Sequence, residues 1–563
     1  MAGQAAANLH LPRPPMLIGT QEHTGLRMMM LSNTQTWYQN AIFYEISVRA
    51  FCDSNGDGIG DLPGLMSKLD YLQDLGVDTL WLLPITPSPL RDDGYDVSDH
   101  FNIHPDYGTL DDFRRLVAEV HRRGLRLVIE LIPNHTSDQH PWFQASRDPR
   151  HPEHATYRDW YVWNDTDQKY ADARIIFLDT EPSNWTFDPQ RQQYYWHRFF
   201  HHQPDLNYDH PAVQQAMLRV VQFWIDQGAD AIRIDAPPYL YEREGTSCEN
   251  LPETHAYLKR LRAFVEAYAP GTMLLAEANQ WPEAVRPYFG DGDEVHMNFH
   301  FPLMPRLFLA LAQADRTPLV EILKRTPELP QGCQWATFLR CHDELTLEMV
   351  TPQEREFLWN FYAPEPRMRL NLGIRRRLAP LLGHDQRRLR LAHSLLLTFI
   401  GSPVLYYGDE IGMSDNIWLD DRGGVRTPMQ WNDQPHGGFS TADRLYAPVI
   451  DQDSYSYLQL NVKAQQADRD SLLNTLRRMI AVRKQHPAFG QGQFKWVEVG
   501  SNAIAAYWRI LERERILVLQ NLSDQTQTLE LPDHAHPWRD LLTGSYMTPT
   551  SLAPYQFVWL LAT

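Results

Sequence analysis

The sequence predicts an α/β protein: a (β/α)8 TIM barrel, with a domain inserted after strand three and a C-terminal antiparallel β-sandwich. Short apolar runs alternate with amphipathic helical patterns over residues 42–132, as is typical of parallel strands joined by helices. A polar, aromatic-rich stretch then interrupts the alternation. Short β-type runs separated by turns follow residue 486. A chain of 563 residues is long enough for two or three such domains.

Eight segments are predicted as barrel strands because each is short, apolar and bounded by helical or turn patterns. They cover residues 42–49, 79–84, 125–132, 231–235, 273–278, 296–301, 335–343 and 403–408. Helices are predicted over 65–75, with Gly76 as the stop, and over 110–124 and 211–228. Eight strands close such a barrel, and its active site lies at the C-terminal ends of the strands.

The predicted domain bounds follow these patterns. They are an N-terminal extension (1–36), the barrel (37–134 and 206–477), the inserted domain (135–205) and the C-terminal β domain (478–563). The extension lacks an uninterrupted apolar segment after a basic start, so it is predicted to be flexible and not a signal peptide.

Composition limits the classes of partner and location. The net charge of -18 argues against a nucleic acid or an anionic membrane as the partner. No apolar run reaches about 18 residues, so no transmembrane helix is expected. The 4 cysteines form neither a disulfide framework nor a CxxC metal motif, so a reducing cytoplasm is expected.

Asp235, at the end of the fourth predicted strand, is the first candidate for catalysis. Arg233 has the same parity in the strand, so the two side chains point the same way. A nearby cation keeps a carboxylate ionised, and an ionised carboxylate at a strand end suits a nucleophile. A structural ion pair is the alternative.

Further polar residues end other predicted strands, so they would lie on the same rim of the barrel. Retaining glycosidases use two carboxylates about 5–5.5 Å apart. Here Asp235 would attack the anomeric carbon, and Glu277 would protonate the leaving oxygen and then deprotonate the acceptor. Asp343 would raise the pKa of Glu277 by like-charge repulsion, or bind ring hydroxyls. His135 and His342 could donate to hydroxyls, although any one of these residues alone could be a merely solvated strand end.

These strand ends resemble the signature regions of glycoside hydrolase family 13, the α-amylase family. The matching stretches are Asn134-His135, Arg233-x-Asp235, Glu277 and His342-Asp343, with QPDLN at 203–207. Within the family the chain is most similar to trehalose synthases, also called maltose α-D-glucosyltransferases. The stretches that carry this likeness are 88–96 (SPLRDDGYD), 135–143 (HTSDQHPWF), 239–245 (YLYEREG), 371–380 (NLGIRRRLAP), 408–413 (GDEIGM) and 422–431, which includes VRTPMQW.

The resemblance implies that Asp235 is the nucleophile, Glu277 the proton donor and Asp343 the transition-state stabiliser. It also implies contacts to the nonreducing glucose from Asp96, His135, Gln203, Arg233 and His342. The implied reaction is the reversible isomerisation of maltose to trehalose by intramolecular transglucosylation. It would be a retaining double displacement through a glucosyl-Asp235 intermediate, with minor hydrolysis to glucose.

Three residues depart from the family's usual pattern. Cys341 stands where the family usually has Asn, and Glu130 where it often has Asp. Pro237 is also unusual and would stiffen the loop after the nucleophile. None of these departures removes a catalytic residue.

Residues 53–61 (DSNGDGIGD) space oxygen ligands at alternate positions, as in the first part of an EF-hand calcium loop. The ligands would be the side chains of Asp53, Asn55, Asp57 and Asp61 and the carbonyl of Ile59. The closing Glu is absent, so an Asp/Gly-rich turn is the alternative. The resemblance implies a structural Ca²⁺ here and a second between barrel and inserted domain. That second site would use the side chains of Asn134, Asp205 and Glu242 with the carbonyls of Tyr239 and Leu240. No organic cofactor is expected.

Three functions are compared: an intramolecular glucosyltransferase, a retaining α-glucosidase and a non-catalytic binding scaffold. Retention of all three carboxylates argues against the scaffold. Exclusion of water from the site decides between the glucosyltransferase and the α-glucosidase. The Arg-rich stretch 348–382 would be either a lid over the site or a solvated surface helix. The expected partner is a small substrate, maltose or trehalose. A homo-oligomer and a separate maltokinase are the other partners considered.

Overall fold

Eight parallel strands close into a barrel in the computed structural model, which describes residues 36–531 and 537–562. Each strand pairs with its neighbours in the chain, and β8 pairs with β1. The strands are β1 Phe43–Ile46, β2 Thr79–Leu82, β3 Arg126–Leu131, β4 Ala231–Ile234, β5 Met273–Ala276, β6 Met297–Phe299, β7 Gln334–Phe338 and β8 Ser402–Tyr406. The predicted barrel is therefore confirmed. The predicted extension, 1–36, lies outside the described residues apart from Thr36.

Helices lie between the strands, and local capping signals set their ends. Leu110–Arg122 begins with a capping box, in which Thr109 and Asp112 satisfy each other's backbone N–H groups. The predicted helix 65–75 is broken into two pieces, the second of which ends at Gly76 in a left-handed conformation. The longer helices are Leu69–Leu75, Leu110–Arg122, Pro211–Asp226, Pro252–Tyr268, Leu303–Gln313, Thr317–Arg325, Pro352–Tyr362, Gln386–Thr398 and Leu472–Gln485.

Strand β7 is shorter than predicted, and the expected strand end at Asp343 is wrong. β7 stops at Phe338, which pairs with Val404 of β8 and lies two residues after the last pairing of β7 with β6, at Ala336. Arg340 then holds the chain in a loop by donating to the carbonyl oxygens of Arg376 and Asp343, both at 2.6 Å. Asp343 consequently projects from a fixed loop and not from a strand.

The inserted domain is a small sheet with two short helices. Its strands, Trp163–Asn164, Trp185–Asp188 and Gln193–Trp196, form an antiparallel sheet. An isolated bridge pairs His135 with Asp205, the first and last residues of the predicted domain. The two ends of the insertion therefore meet at the barrel rim.

The C-terminal domain has a six-stranded antiparallel sheet and a two-stranded one. Residues of both sheets share one apolar core, which includes Ile504, Leu519 and Leu552. The strands are Gln493–Trp496, Ile504–Leu511, Glu514–Asn521, Phe557–Leu561, Trp538–Asp540 and Tyr546–Met547, with Gln527–Thr528 and Ser551–Leu552 in the smaller sheet. The helix Leu472–Gln485 spans the predicted domain bound at 477, and the bounds themselves stay a prediction.

Within the ranges described, every helix is too short or too polar to cross a membrane. Cys52, Cys248, Cys333 and Cys341 are all buried and free of disulfide bonds.

Candidate active site

A cavity of about 130 Å³ opens at the C-terminal ends of the barrel strands. Its lining comes from the segments after β2 to β8 and from the inserted domain. The lining residues are Asp92, Tyr95, His135, Phe177, Phe199, Asp235, Ala236, Glu277, Asn279, Phe301, Asp343, Glu344, Thr346, Glu348 and Arg422. The structure therefore brings the three predicted catalytic carboxylates together with His135.

Arg233 joins three carboxylates at the floor of this cavity. Its Nη1 contacts Asp235 Oδ1 at 2.6 Å and Glu130 Oε2 at 2.8 Å, and its Nη2 contacts Glu277 Oε2 at 2.6 Å. The guanidinium is 1% exposed. Trp81 fixes Glu130 from the other side by donating from Nε1 at 2.7 Å. Arg233 therefore lies behind the cavity as a charged support.

The chain turns sharply directly after Asp235. Ala236 adopts a left-handed backbone with φ 48°, and Pro237–Tyr239 forms a 3₁₀ turn. A non-glycine residue in this conformation costs roughly 1–2 kcal/mol. Pro237, unusual in the sequence, thus begins the turn that follows the nucleophile candidate.

The surroundings of Glu277 and Asp343 shift the pKa values of these two carboxyl groups in opposite directions. Burial, reinforced by the charges of Asp235 and Asp343, raises the pKa of Glu277 well above its ordinary value, and the contact with Arg233 only opposes this. Burial also disfavours ionisation of Asp343, but His342, Arg422 and other cations outweigh it and lower the pKa of Asp343. Glu277 is therefore suited to hold a proton and Asp343 to stay an anion. Repulsion from Asp343 contributes to the raised pKa of Glu277 as predicted, but burial is the larger cause of the shift.

Two arginines on Asp343 were not identified from the sequence as site residues. Arg422 Nε contacts Asp343 Oδ1 at 2.9 Å, and Arg426 Nη2 contacts the same oxygen at 3.0 Å. Both belong to the stretch 422–431, which contributed to the family resemblance. His342 Nε2 approaches the other oxygen at 3.2 Å. Two guanidinium groups thus contact Oδ1 of this carboxylate, and an imidazole lies beside Oδ2.

The structure places Asp92 at the cavity and Asp96 behind it, and the predicted sugar contact of Asp96 stays a prediction. Asp96 is fully buried away from the cavity and accepts hydrogen bonds from Ser88 Oγ at 2.7 Å and from the backbone of Arg91 and Asp92. Asp92 lines the cavity instead, and Gln203 Nε2 donates to its Oδ2 at 2.8 Å. Burial raises the pKa of Asp92 to about 8. Gln203 is completely buried, so it supports Asp92 from behind.

Aromatic side chains form one wall of the cavity. Phe177 and Phe199 come from the inserted domain with ring centroids 5.5 Å apart, and Arg422 lies over the Phe177 ring at 5.1 Å. Tyr95 stacks on His342 at 5.4 Å. The sequence showed only that the insertion is rich in aromatics, because its lack of periodicity hides which of them face the cavity.

Contacts across the mouth join the inserted domain to the loop after β7. Arg174 Nη1 contacts Glu348 Oε2, and its Nε contacts Glu249 Oε1. The backbone N–H of Asn371 donates to Asp179 Oδ2 at 2.7 Å. Of the stretch 348–382, Glu348 lines the cavity and Asn371 contacts the inserted domain, while the helix Pro352–Tyr362 is largely a surface helix, with Phe361 48% exposed. The surface-helix alternative thus describes Pro352–Tyr362, and a lid stays a prediction.

The predicted calcium loop has the expected turn, but its oxygens are paired within the loop. Asp53 accepts three backbone N–H groups at 2.8 to 2.9 Å, and Asp61 caps the next helix. Asn55 Nδ2 donates to Asp57 Oδ2 at 2.9 Å. Gly58 has φ 90°, and a Cβ there would lie 2.0 Å from a carbonyl oxygen. In residues 36–531 and 537–562, no group of three or more His, Cys, Asp or Glu is arranged to hold a metal ion.

The second predicted calcium site has unpaired oxygens instead. Asn134 Oδ1, Asp205 Oδ2 and Glu242 Oε1 are buried without a hydrogen-bond partner in the described part of the chain. Burial raises the pKa of both carboxyls, and the charge of Asp205 raises that of Glu242 further. Tyr239 and Leu240 precede Glu242 in the turn after β4. An all-oxygen donor set without hydrogen bonds fits a hard cation such as Ca²⁺.

Family matches cover most of the chain. Residues 45–358 and 375–492 match "Alpha amylase, catalytic domain". The chain belongs to the α-amylase family. Residues 494–559 match "Maltogenic Amylase, C-terminal domain", which coincides with the C-terminal antiparallel sheets.

Similar proteins extend the likeness over nearly the whole chain. The chain is 56% identical over 527 residues to the trehalose synthase/amylase TreS of Mycobacterium tuberculosis, covering 92% of this chain and 86% of that protein. It is 54% identical over 518 residues to the trehalose synthase of Pimelobacter sp., with 89% and 90% covered. The crystal structure of the trehalulose synthase MutB from Pseudomonas mesoacidophila MX-45 aligns with a TM-score of 0.76 at 28% identity, covering 93% and 99%.

Replacing Asp92 and Asp96 separately by Ala tests which of the two carboxyl groups contacts the sugar. Asp92→Ala is expected to lower kcat/KM for maltose roughly 5- to 100-fold, because a buried polar group left without its hydrogen-bond partner costs about 1–3 kcal/mol. Asp96→Ala removes three hydrogen bonds inside the loop, so it is expected to lower the melting temperature by several degrees. Steady-state kinetics and thermal unfolding of both variants are the measurements. If Asp96→Ala changes KM more than Asp92→Ala does, at unchanged stability, Asp96 is the sugar contact and Asp92 is not.

Proposed function

We propose that this protein is a maltose α-D-glucosyltransferase that interconverts maltose and trehalose. Asp235 and Glu277 carry the proposal, because both face one small cavity and both contact the same guanidinium of Arg233. This closeness suits the separation of about 5–5.5 Å that retaining enzymes use. The two trehalose synthase relatives, each more than half identical, support the substrate pair.

In the first half of the proposed reaction, Asp235 attacks the anomeric carbon of the nonreducing glucose. Its side chain is 10% exposed, and Arg233 holds the oxygen that does not attack. Glu277, 21% exposed, donates its proton to the glycosidic oxygen, so that the bond to the second glucose breaks. Asp343 binds ring hydroxyls and, as an anion, stabilises the positive charge that develops on the sugar.

In the second half, the released glucose turns within the cavity. Glu277, now a carboxylate, takes the proton from the O1 hydroxyl of that glucose, and O1 attacks the anomeric carbon held on Asp235. The bond to Asp235 breaks, and trehalose forms. Two inversions at the same carbon give overall retention. Water attacking in place of O1 gives hydrolysis to glucose.

The same carboxylates would serve a retaining α-glucosidase, so water exclusion decides the product. Arg174 of the inserted domain contacts Glu348, which lines the cavity from the loop after β7, and Glu249, which belongs to the segment after β4. Phe177 and Phe199 line the cavity there with apolar surface. These features favour retention of the released glucose over entry of water.

We also propose structural Ca²⁺ at Asn134, Asp205, Glu242 and the carbonyls of Tyr239 and Leu240. The unpaired oxygens there support it, and a bound cation would neutralise two buried carboxylates where the inserted domain joins the barrel. A Ca²⁺ in the 53–61 loop, at Asp53, Asn55, Asp57, Ile59 and Asp61, remains a proposal that rests on ligand spacing.

The chain is a carbohydrate-processing enzyme that acts on small sugars. A cytoplasmic location is proposed because all four cysteines are free thiols. A homo-oligomer and a separate maltokinase stay predictions.

Incubation with maltose alone tests the transfer reaction. Trehalose is expected as the main product with minor glucose, followed by proton NMR. Asp235→Asn should abolish both products, since both pass through the glucosyl intermediate. Glucose as the sole product would identify an α-glucosidase, and full activity of Asp235→Asn would refute the assigned nucleophile.

Opening the mouth should change the ratio of products. Arg174→Ala removes the contacts with Glu348 and Glu249, so water is expected to enter and the glucose share to rise several-fold. The matched control is Arg147→Ala, which breaks an arginine–aspartate pair with Asp188 inside the same domain but away from the cavity. Product ratios by NMR are compared. Equal ratios in the two variants would contradict the role of the mouth.

Removal of bound metal tests the calcium proposal, because the effect of a ligand substitution on the melting temperature should depend on Ca²⁺. A chelator is expected to lower the melting temperature of the parent protein by a few degrees, because a cation bound only to the folded state stabilises it. Glu242→Gln should lower stability in excess Ca²⁺ but not in chelator, where the Glu242 oxygen has no cation to bind. Thermal unfolding and calorimetric Ca²⁺ titration are the readouts, with Asp57→Asn as the matched variant of the first loop. If Glu242→Gln lowers the melting temperature equally with and without Ca²⁺, the calcium site at Asn134, Asp205 and Glu242 is ruled out.

A further inference from the structure

Glu45 is a buried carboxylate on β1 that the reaction above does not use. Its side chain has no exposed area. Oε1 lies 2.5 Å from Nδ1 of His342 and accepts the backbone N–H of the same residue at 3.1 Å. Oε2 is buried and has no hydrogen-bond partner in the described ranges. The hydrogen bonds to this carboxylate therefore come from His342.

The other nitrogen of the His342 ring faces a second carboxylate. Nε2 lies 3.2 Å from Asp343 Oδ2 and 2.8 Å from Tyr95 Oη. A neutral imidazole carries only one N–H, so it would direct a lone pair at one of the two carboxylates. A ring protonated on both nitrogens donates to both sides. Tyr95 Oη also lies 3.4 Å from Glu130 Oε1, so Tyr95 can accept from His342 and donate to Glu130.

Side chains from several elements surround the His342 ring, and carboxylates lie next to the ring. Glu45 comes from β1, Trp81 from β2, Tyr95 from the loop after β2, Glu130 from β3, and Cys341, Asp343 and Arg426 from the loops after β7 and β8. The ring is 3% exposed. Arg426 donates from Nε to the His342 carbonyl oxygen at 2.9 Å and from Nη2 to Asp343. One carboxylate thus faces each nitrogen of this buried ring.

We propose that Glu45 is a positioning residue that holds His342 as a doubly protonated imidazolium directed at Asp343. The inference rests on the proposed function, which gives Asp343 its role as a stabilising anion. Arg422 and Arg426 fix Oδ1 of Asp343, and the imidazolium fixes Oδ2. Without the second proton on His342, that side of Asp343 would be free to rotate away from the sugar.

Glu45→Gln is the test, because it keeps the size and one acceptor but removes the charge. The alkaline limb of the kcat profile for maltose is expected to move to lower pH by roughly 1–3 units, the effect of losing an adjacent opposite charge. KM should change less than kcat. Glu45→Asp keeps the charge, so its alkaline limb should stay at the parent position even if kcat falls.

Glu410→Gln is the matched control. Glu410 is also fully buried at this end of the barrel, where it accepts hydrogen bonds from Tyr44 Oη at 2.7 Å and Tyr71 Oη at 2.6 Å. It has no contact with His342, so its variant should keep the parent alkaline limb. The limb set by Glu277 is common to all four proteins, so only a shift confined to Glu45→Gln supports the proposal.

An alkaline limb of Glu45→Gln that coincides with the parent's would overturn the proposal. His342 would then be a neutral ring that donates to Glu45 and accepts from Tyr95. If Glu45→Gln does not fold, Glu45→Asp decides: an unshifted limb supports the charge requirement, and a shifted limb contradicts it. Failure of the proposed function is seen separately, as unaltered trehalose formation by Asp343→Asn.

Discussion

The site depends on one buried guanidinium that three carboxylates share. Isolated charges inside a protein are costly, and pairing with good hydrogen-bond geometry offsets most of this cost. Arg233 meets Glu130, Asp235 and Glu277 at 2.6 to 2.8 Å, so each member of the cluster compensates another. Strand register produces the cluster. Glu130 is the partner of Arg233 across β3 and β4, and the next pairing, β4 with β5, sets Asp235 beside Glu277.

The surroundings of the cluster then divide the work between chemically similar groups. Burial and nearby anions raise the pKa of Glu277, whereas the cations around Asp343 lower the pKa of Asp343. The same barrel rim thus holds an acid that keeps its proton and an anion that does not take one. Arg422 and Arg426 reach Asp343 from the loop after β8 and so link the last barrel strand to the chemistry of the middle ones.

Closure of the cavity depends on parts outside the barrel. Glu249 accepts from Arg174 at the mouth and from Arg198, which lies over the Tyr239 ring next to the proposed calcium ligands. The mouth and the junction of the inserted domain are therefore connected through one carboxylate. An enzyme that must retain a released glucose differs from a hydrolase in such contacts, because the catalytic carboxylates are common to both.

Local patterns were sufficient to predict the barrel, the insertion, the C-terminal sheets and the three carboxylates that now face one cavity. Periodicity reports burial along a strand, and the end of a parallel strand identifies the rim, so no long-range information is needed. The exact length of β7 escaped this logic, because the loop after Phe338 is held by contacts of Arg340 with a distant segment, at Arg376.

Only the tertiary structure decided which polar residues meet. It places Asp92, and not Asp96, at the cavity, although the two carboxyl groups belong to one short stretch that the sequence could not tell apart. It also brought Arg422 and Arg426 to Asp343, and Glu45 to His342 across 297 residues of chain. Sequence spacing determines the direction of a side chain within its own strand or turn. The partner that it faces there, and with it the charge and protonation of the site, depends on how distant segments pack against one another.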